Sequence, residues 1–256
     1  MNIVDELNSE FSKQKRIAKV GKLPVEVVEK YKKIASGYAE MENAISVLSD
    51  MYTNVSYVYY GRFSGMFGWS HGAGAEDKIA SIWEDKILGH IHPDDLHDKY
   101  LQELRFFHFV RRQPKMKRTD FYLADKLRMK DVWGNYQLVL HRLFYVSSPV
   151  ESGLWLALCV YTPWTFGFPG KSRVVNSVTG EMMELGGRED SQILSGREKQ
   201  ILRLINEGLM SKDIALQLSI SVNTVSRHRQ EILRKLQVKS SLEACRVAKE
   251  LGIIDQ

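Results

Sequence analysis

The spacing of apolar residues changes character along this chain. From Pro24, whose fixed φ suits the first position of a helix, Val27, Tyr31, Ile34, Tyr38, Met41, Ile45 and Leu48 recur in steps of four and three. That seam predicts a helix running to about Leu48, which either pairs with a second copy or lies on the next domain. The period then shortens. Tyr52–Phe63, rich in Val and Tyr and bounded by Gly61 and Gly65, reads as a strand. Pro93–Arg112 returns to helical spacing, with Leu96, Tyr100, Leu104 and Phe107 on one face and Gln113-Pro114 as its stop. Asp120–Lys130 and Tyr136–Val146 read as strands joined around Trp133-Gly134-Asn135. Leu154–Tyr161 is apolar enough for a central strand.

Strand, helices, then consecutive strands predict an α+β domain with an antiparallel sheet over residues 49–168, after a helical segment at 1–48. Residues 169–190 read as a linker, in which Thr179-Gly180 between apolar stretches turns a small hairpin and Gly186-Gly187 forms a hinge. Residues 191–256 are helical throughout, so the expected class is α+β followed by an all-α four-helix domain.

Charge sharpens this division. The net charge is +5, and residues 191–256 carry 11 Lys+Arg against 7 Asp+Glu, leaving 25 against 24 elsewhere. A basic end on a nearly neutral body suits a polyanionic partner. The chain has 44% hydrophobic and 26% charged residues, a globular mix that argues against disorder. No apolar run reaches the roughly 20 residues of a spanning helix. MNIVDELNSEFSKQK lacks the apolar core of a secretory signal, and Cys159 and Cys245 form no disulfide or metal framework, so the expected location is cytoplasmic.

Within the basic end, Ser195-Gly196-Arg197-Glu198 precedes a helix that stops at Glu207-Gly208. Ser211 stands where a cap belongs before a short second helix, and Ser219-Ile220-Ser221 makes the turn into a third, Val222–Gln237. On that third helix Val225, Ile232 and Leu236 share one face, while Ser226, Arg227, Gln230, Arg234 and Lys235 share the other. A fourth helix, Ser241–Leu251, closes the unit with Ala244, Ala248 and Ile253 inward. Two short helices joined by a tight turn, the second with a basic polar face, suit the major groove, which is about 12 Å wide and admits one helix. Arg227 can fork onto guanine and Gln230 can pair with adenine, with Asn223 beside them at the helix start. Lys212, Thr224, Lys235 and Lys239 flank that face and suit phosphate contacts.

The segment from Leu194 to Ile254 resembles the LuxR/NarL-type DNA-binding domain along nearly its whole length. The matching marks are Arg197-Glu198, Gly208, Lys212-Asp213-Ile214-Ala215, Leu218, Ile220-Ser221, Thr224-Val225, His228, Ile232, Lys235-Leu236, Val238, Glu243-Ala244, Ala248 and Gly252. The resemblance implies a regulator of transcription that binds double-stranded DNA as a homodimer, often through the fourth helix, with RNA polymerase as a further possible partner. It implies base reading from Ser226, Arg227 and Gln230; Ser226 replaces a frequent lysine, so no operator sequence carries over. The alternatives are a sigma-factor-like module and a helical bundle that binds protein.

Residues 49–168 have the length and element order of a PAS-like sensor domain, and His92-Pro93-Asp94-Asp95 resembles a segment common in that family. Pro93 suits a first helical turn, where Asp94 and Asp95 complement the helix's positive end. His90, His92 and Asp94 also approach the metal signature of metallo-β-lactamase-type hydrolases. The sixth position of that signature is Asp95 instead of His, and His97, His108 and His141 supply no second set, so neither a metal nor a catalytic site is expected. No cofactor is expected either: Cys159 lacks the flavin-photosensor motif, and His108 and His141 read as packing residues. A small apolar ligand between sheet and helices stays open.

Overall fold

The structure is a computed structural model and describes residues 24–69, 76–150, 153–165, 172–185, 194–236, 238, 240–250 and 253–254. These fall into two compact units, one ending at Glu184 and the other starting at Leu185. The fold is α+β in the first and all-helical in the second.

Helix α1 (Val25–Met41) opens the first unit. Asn43 takes a left-handed φ of 55°, a conformation Asn tolerates, and turns the chain out of the helix. Ile45 and Leu48, the last residues of the heptad-like seam, therefore belong to strand β1 (Ile45–Asp50) and not to a helix reaching 48. Every residue of β1 is buried, so its apolar positions need not alternate, and their spacing merely continues the helical one. The helix lies on its own domain. Ala35 and Ala39 are buried with Leu48, Trp155, Leu156 and Leu158, and Val27, Val28, Tyr31 and Tyr38 pack around them.

Strand β2 (Val55–Tyr60) is shorter than the predicted Tyr52–Phe63, because Asn54 turns at φ 59° and Arg62–Phe67 winds into a 3-10 helix. Beyond it come β3 (Glu76–Ile79), α2 (Asp85–Leu88) and α3 (Pro93–Arg112). Strands β4 (Phe121–Lys130), β5 (Tyr136–Ser147) and β6 (Leu154–Pro163) follow, with Gly134 at φ 89° in the first connection. The chain then adds β7 (Ser172–Asn176) and β8 (Met182–Met183). All eight form one antiparallel sheet in the order β3-β2-β1-β6-β5-β4-β7-β8. Much of the segment expected as a linker is thus sheet, with Val174 and Val175 buried against β4. Gly186-Gly187 lie outside the described residues.

Helix α1 packs on one face of the sheet, and α3 contacts β4 and β5. His92 accepts the Asp94 N–H at the start of α3 (3.3 Å), and Pro93 is the first helical residue. Leu104, Phe106, Phe107 and Val110 are buried, but so are Asp95, Lys99 and Glu103, which line the same helix. Strand β6, between β1 and β5, is buried along almost all its length, which explains its continuous apolar run.

Gly61 is where α1, the Asn43 turn and β2 converge. A Cβ there would meet Ala39 O and Asn43 C at 2.3 Å. Both are backbone atoms, and beside them Gly61 N–H donates to Ala44 O and Phe63 N–H donates to Asn43 O, which fixes the Asn43 turn. Gly61→Ala should therefore cost about 1–3 kcal/mol of overpacking. Gly65→Ala, with nothing within 4 Å of the added carbon, should stay close to the parent in urea denaturation.

Candidate nucleic-acid interface

The second unit contains α4 (Gly196–Asn206), α5 (Ser211–Gln217), α6 (Val222–Leu236) and α7 (Ser241–Glu250). Ser195 opens α4 with a reciprocal capping box. Its Oγ accepts from Glu198 N–H (3.3 Å), and Glu198 Oε2 accepts from Ser195 N–H (2.7 Å). Gly208 at φ 88° ends the helix. Ser219 at φ 53° makes the tight turn between α5 and α6, and Arg197 Nη2 donates to Leu218 O at 2.8 Å just before it. Ser221 Oγ accepts the Thr224 N–H at 3.0 Å, the cap expected for the third helix.

Ser211 does not cap α5. Met210 holds the N-cap position without a side-chain bond, and Ser211 is the first helical residue. Its hydroxyl instead accepts from Arg229 Nη1 at 3.0 Å, while Arg229 Nη2 donates to Ser241 Oγ at 2.9 Å. One guanidinium thereby ties α6 to the first residues of α5 and α7. Its planar fork suits that bridging better than an ammonium would. Sequence periodicity gave no sign of this role, because Arg229 looks like one more basic residue on a basic helix.

Val225, Ile232 and Leu236 are the buried residues of α6, and Ala244, Ala248 and Ile253 are also buried. Asn223, Ser226, Arg227 and Gln230 are exposed and fall within two turns of one another, along one stripe of the helix. Lys212 is exposed at the start of α5, and Thr224 is half-buried with its hydroxyl 2.9 Å from Ser221 Oγ. Lys239 and Gln237 lie outside the described residues.

Lys235 has another occupation. Its ammonium lies 2.6 and 2.9 Å from the two carboxylate oxygens of Glu198, a nearly buried residue on α4. Burial alone would raise the Glu198 carboxyl, but the hydrogen bonds from Lys235 and Ser195 outweigh it and hold the group below its usual value. Lys235 is thus a brace between α4 and α6. Arg234 is likewise engaged, by Glu231 at 2.8 Å. Of Arg227, Arg234 and Lys235, Arg227 is exposed and the other two are half-buried.

Residues 192–248 match the family model of the bacterial regulatory proteins of the luxR family. The C-terminal unit is a LuxR-type helix-turn-helix domain. The response regulator protein TodT of Pseudomonas putida is 41% identical to the chain over 64 residues, 25% of this chain and 28% of that one. The oxygen regulatory protein NreC of Staphylococcus carnosus is 42% identical over 115 residues, 43% of this chain and 52% of that one. The chain thus spans about half, or less, of the curated relatives it matches. Among solved structures, the phage VqmA–DPO complex covers 90% of this chain and 92% of its own at 12% identity, with a TM-score of 0.32. The LuxR-type domain accounts for the charge asymmetry, and none of the described helices is long and apolar enough to cross a membrane.

In the first unit, His90, His92 and Asp94 serve local structure. His90 Nδ1 lies 2.6 Å from Lys130 O and its ring stands edge-on to Trp69, while His92 caps α3 and packs on Tyr136. Asp95 forms a two-point ion pair with Arg128 at 2.7 and 2.9 Å and also accepts the Arg128 backbone N–H. The hydrolase-like motif does not gather into a donor cluster among the described residues. Polar density lies elsewhere, between α3 and the sheet. Lys99 Nζ sits 2.5 Å from Glu103 Oε1, and Ser49 Oγ donates to Glu84 Oε1 at 3.1 Å. Burial pushes the Glu84 and Asp125 carboxyls up to about 7, and burial together with the Lys99 charge pushes the His141 imidazole down to about 3.

Proposed function

We propose that the chain is a DNA-binding transcription regulator in which α6 enters the major groove. The observation that carries this reading is the division of α6 into a face sealed by Val225, Ile232 and Leu236 and an opposite stripe of Asn223, Ser226, Arg227 and Gln230 left to solvent. Arg227 and Gln230 have the donor patterns that read guanine and adenine edges, and Ser226 lies one turn before Gln230 on the same stripe. Asn223, Thr224, Lys212 and Lys239 then serve the phosphates. Lys235 acts indirectly, by holding α6 on α4.

Two copies would place two such helices in successive grooves, which implies a two-fold symmetric DNA site and a homodimer. The first unit, with its antiparallel sheet between helices, fits a PAS-like sensory domain that shifts the equilibrium between dimer arrangements. On this reading the protein works in the cytoplasm, acts with RNA polymerase at promoters and catalyses no reaction.

Selection of bound DNA from a random pool, followed by affinity measurements, tests the assignment. Arg227→Ala should lose about 1–3 kcal/mol, roughly 5- to 150-fold, and relax preference at one base position. Lys212→Ala should weaken all sequences and lower the salt slope by about 1. Unchanged affinity and preference in Arg227→Ala would show that α6 is not the reading helix.

A further inference from the structure

We propose that Glu103, His141 and Cys159 form a buried binding site for one divalent transition-metal ion of the zinc class, inside the first unit. The three residues come from α3, β5 and β6. Each offers a ligand atom within 4.8 Å of the others, and all three are buried. The register of the sheet brings two of them to one face. His141 pairs with Tyr161, and Leu143 with Cys159, so His141 and Cys159 are diagonal neighbours across β5 and β6. Helix α3 then lowers Glu103 over that pair, with Oε1 3.9 Å from His141 Nε2. Tetrahedral zinc with ligands at about 2.0–2.3 Å requires ligand atoms roughly 3.3–3.8 Å apart. Small side-chain movements close that gap.

An independent observation points to an acceptor of positive charge. His141 is 0% exposed, and its Nε2 has no hydrogen-bond partner among the described residues. A buried imidazole nitrogen without a partner is costly. The other nitrogen, Nδ1, lies 3.1 Å from Asp125 Oδ2. A neutral imidazole that donates Nδ1–H to a carboxylate carries its lone pair on Nε2, the arrangement that metal-ligating histidines adopt.

Space agrees as well. The carboxyl groups of Glu84, Glu103 and Asp125 and the amine of Lys99 are all buried. Lys99 already holds Oε1, the oxygen nearest His141 Nε2, so the ion takes Oε2 after a turn of the carboxylate. A cavity of about 40 Å³ bordered by Glu84, Lys99, Glu103 and Cys159 adjoins two of the three ligands, with room for one water beside the ion. Mixed N, S and O donors favour zinc, cobalt or nickel over calcium or magnesium, which prefer oxygen alone. Binding releases the thiol proton of Cys159 to solvent and leaves a thiolate on the metal.

Cobalt(II) titration of the full chain, stripped by a chelator, is the test. One equivalent per chain should bind with a near-ultraviolet thiolate-to-cobalt absorption, and one equivalent of zinc should displace it. Cys159→Ser should abolish that absorption, while Cys245→Ser, in the other unit, should leave it intact. Asp125→Asn, which keeps the shape of the site, should weaken binding about 10- to 100-fold. A parent protein with no thiolate-to-cobalt band overturns the site, and so does a Cys159→Ser variant that keeps it. Because the readout is the absorption of the metal itself, failure here is distinct from failure of the DNA-binding reading.

Discussion

Lys99→Met is expected to destabilise the first unit by about 3–5 kcal/mol, the usual cost of removing one partner from a buried ion pair. Lys99 is 4% exposed and Glu103 6%, and they face each other one turn apart on α3 at 2.5 Å. Burial alone would lower the lysine, but the charge of Glu103 outweighs it and holds the ammonium well above its ordinary value. A group raised in this way contributes its full stability below the unfolded lysine value, so the pair is intact through neutral pH. Methionine preserves the apolar stem and removes only the charge, leaving the buried Glu103 carboxylate without its counter-charge. Adding Glu103→Gln to Lys99→Met should recover a large part of the loss, since it removes the orphaned charge. The measurement is simple because all five tryptophans (Trp69, Trp83, Trp133, Trp155 and Trp164) lie in the first unit. Urea unfolding followed by tryptophan fluorescence therefore reports this unit alone. A midpoint unchanged in Lys99→Met would mean that the ammonium and carboxylate are solvated in solution.

How much of this was legible in the sequence depends on the range of the interactions involved. In the C-terminal unit nearly every determinant is local. Val225, Ile232 and Leu236 repeat at helical spacing, Ser221 precedes its helix by one residue, and Glu198 lies three residues after Ser195. Helix limits and the exposed stripe on α6 could be read directly. The first unit mixes local and distant determinants. Helix α3 was readable to the residue because Pro93 and Gln113-Pro114 bound it, whereas β7 is five residues long and owes its existence to pairing with β4, some fifty positions earlier. The heptad spacing crossed from α1 into β1 because a strand buried on both faces accepts any apolar spacing. The polar cluster was invisible for a related reason. Lysine, glutamate and histidine are normally surface residues, and Lys99, Glu103 and His141 sit in a sequence that looks amphipathic in the ordinary way. Their burial follows from sheet register and from the seating of α3, neither of which is local. His90 and His92 carry a metal-like spacing in the sequence, yet the donors that converge come from a helix and two strands.

The second large effect is expected at Glu198, where three features meet in one side chain. Glu198→Ala removes half of the capping box, the anchor for Lys235 and a nearly buried anion, for about 2–4 kcal/mol in all. The upper limit is restrained because the Lys235 side chain is 26% exposed and regains water once released. A small helical domain has little reserve against such a loss, so DNA affinity should fall along with helix content although Glu198 is not on the reading stripe. The second unit contains no tryptophan, and circular dichroism at the helical band should show an early transition while tryptophan fluorescence of the first unit stays as in the parent. Glu198→Gln separates the two contributions, since the amide oxygen still accepts the Ser195 N–H but no longer pairs with the ammonium. The pH dependence gives the sign. The Glu198 carboxyl is held below its usual value, so its contribution is fully present above the unfolded value of about 4.3 and fades as pH falls through the folded one. The parent helical unit should therefore lose stability on acidification below about pH 4, and Glu198→Gln should lack that part of the slope. An identical acid slope in both proteins would show that the bond between α4 and α6 does not carry the charge coupling assigned to it.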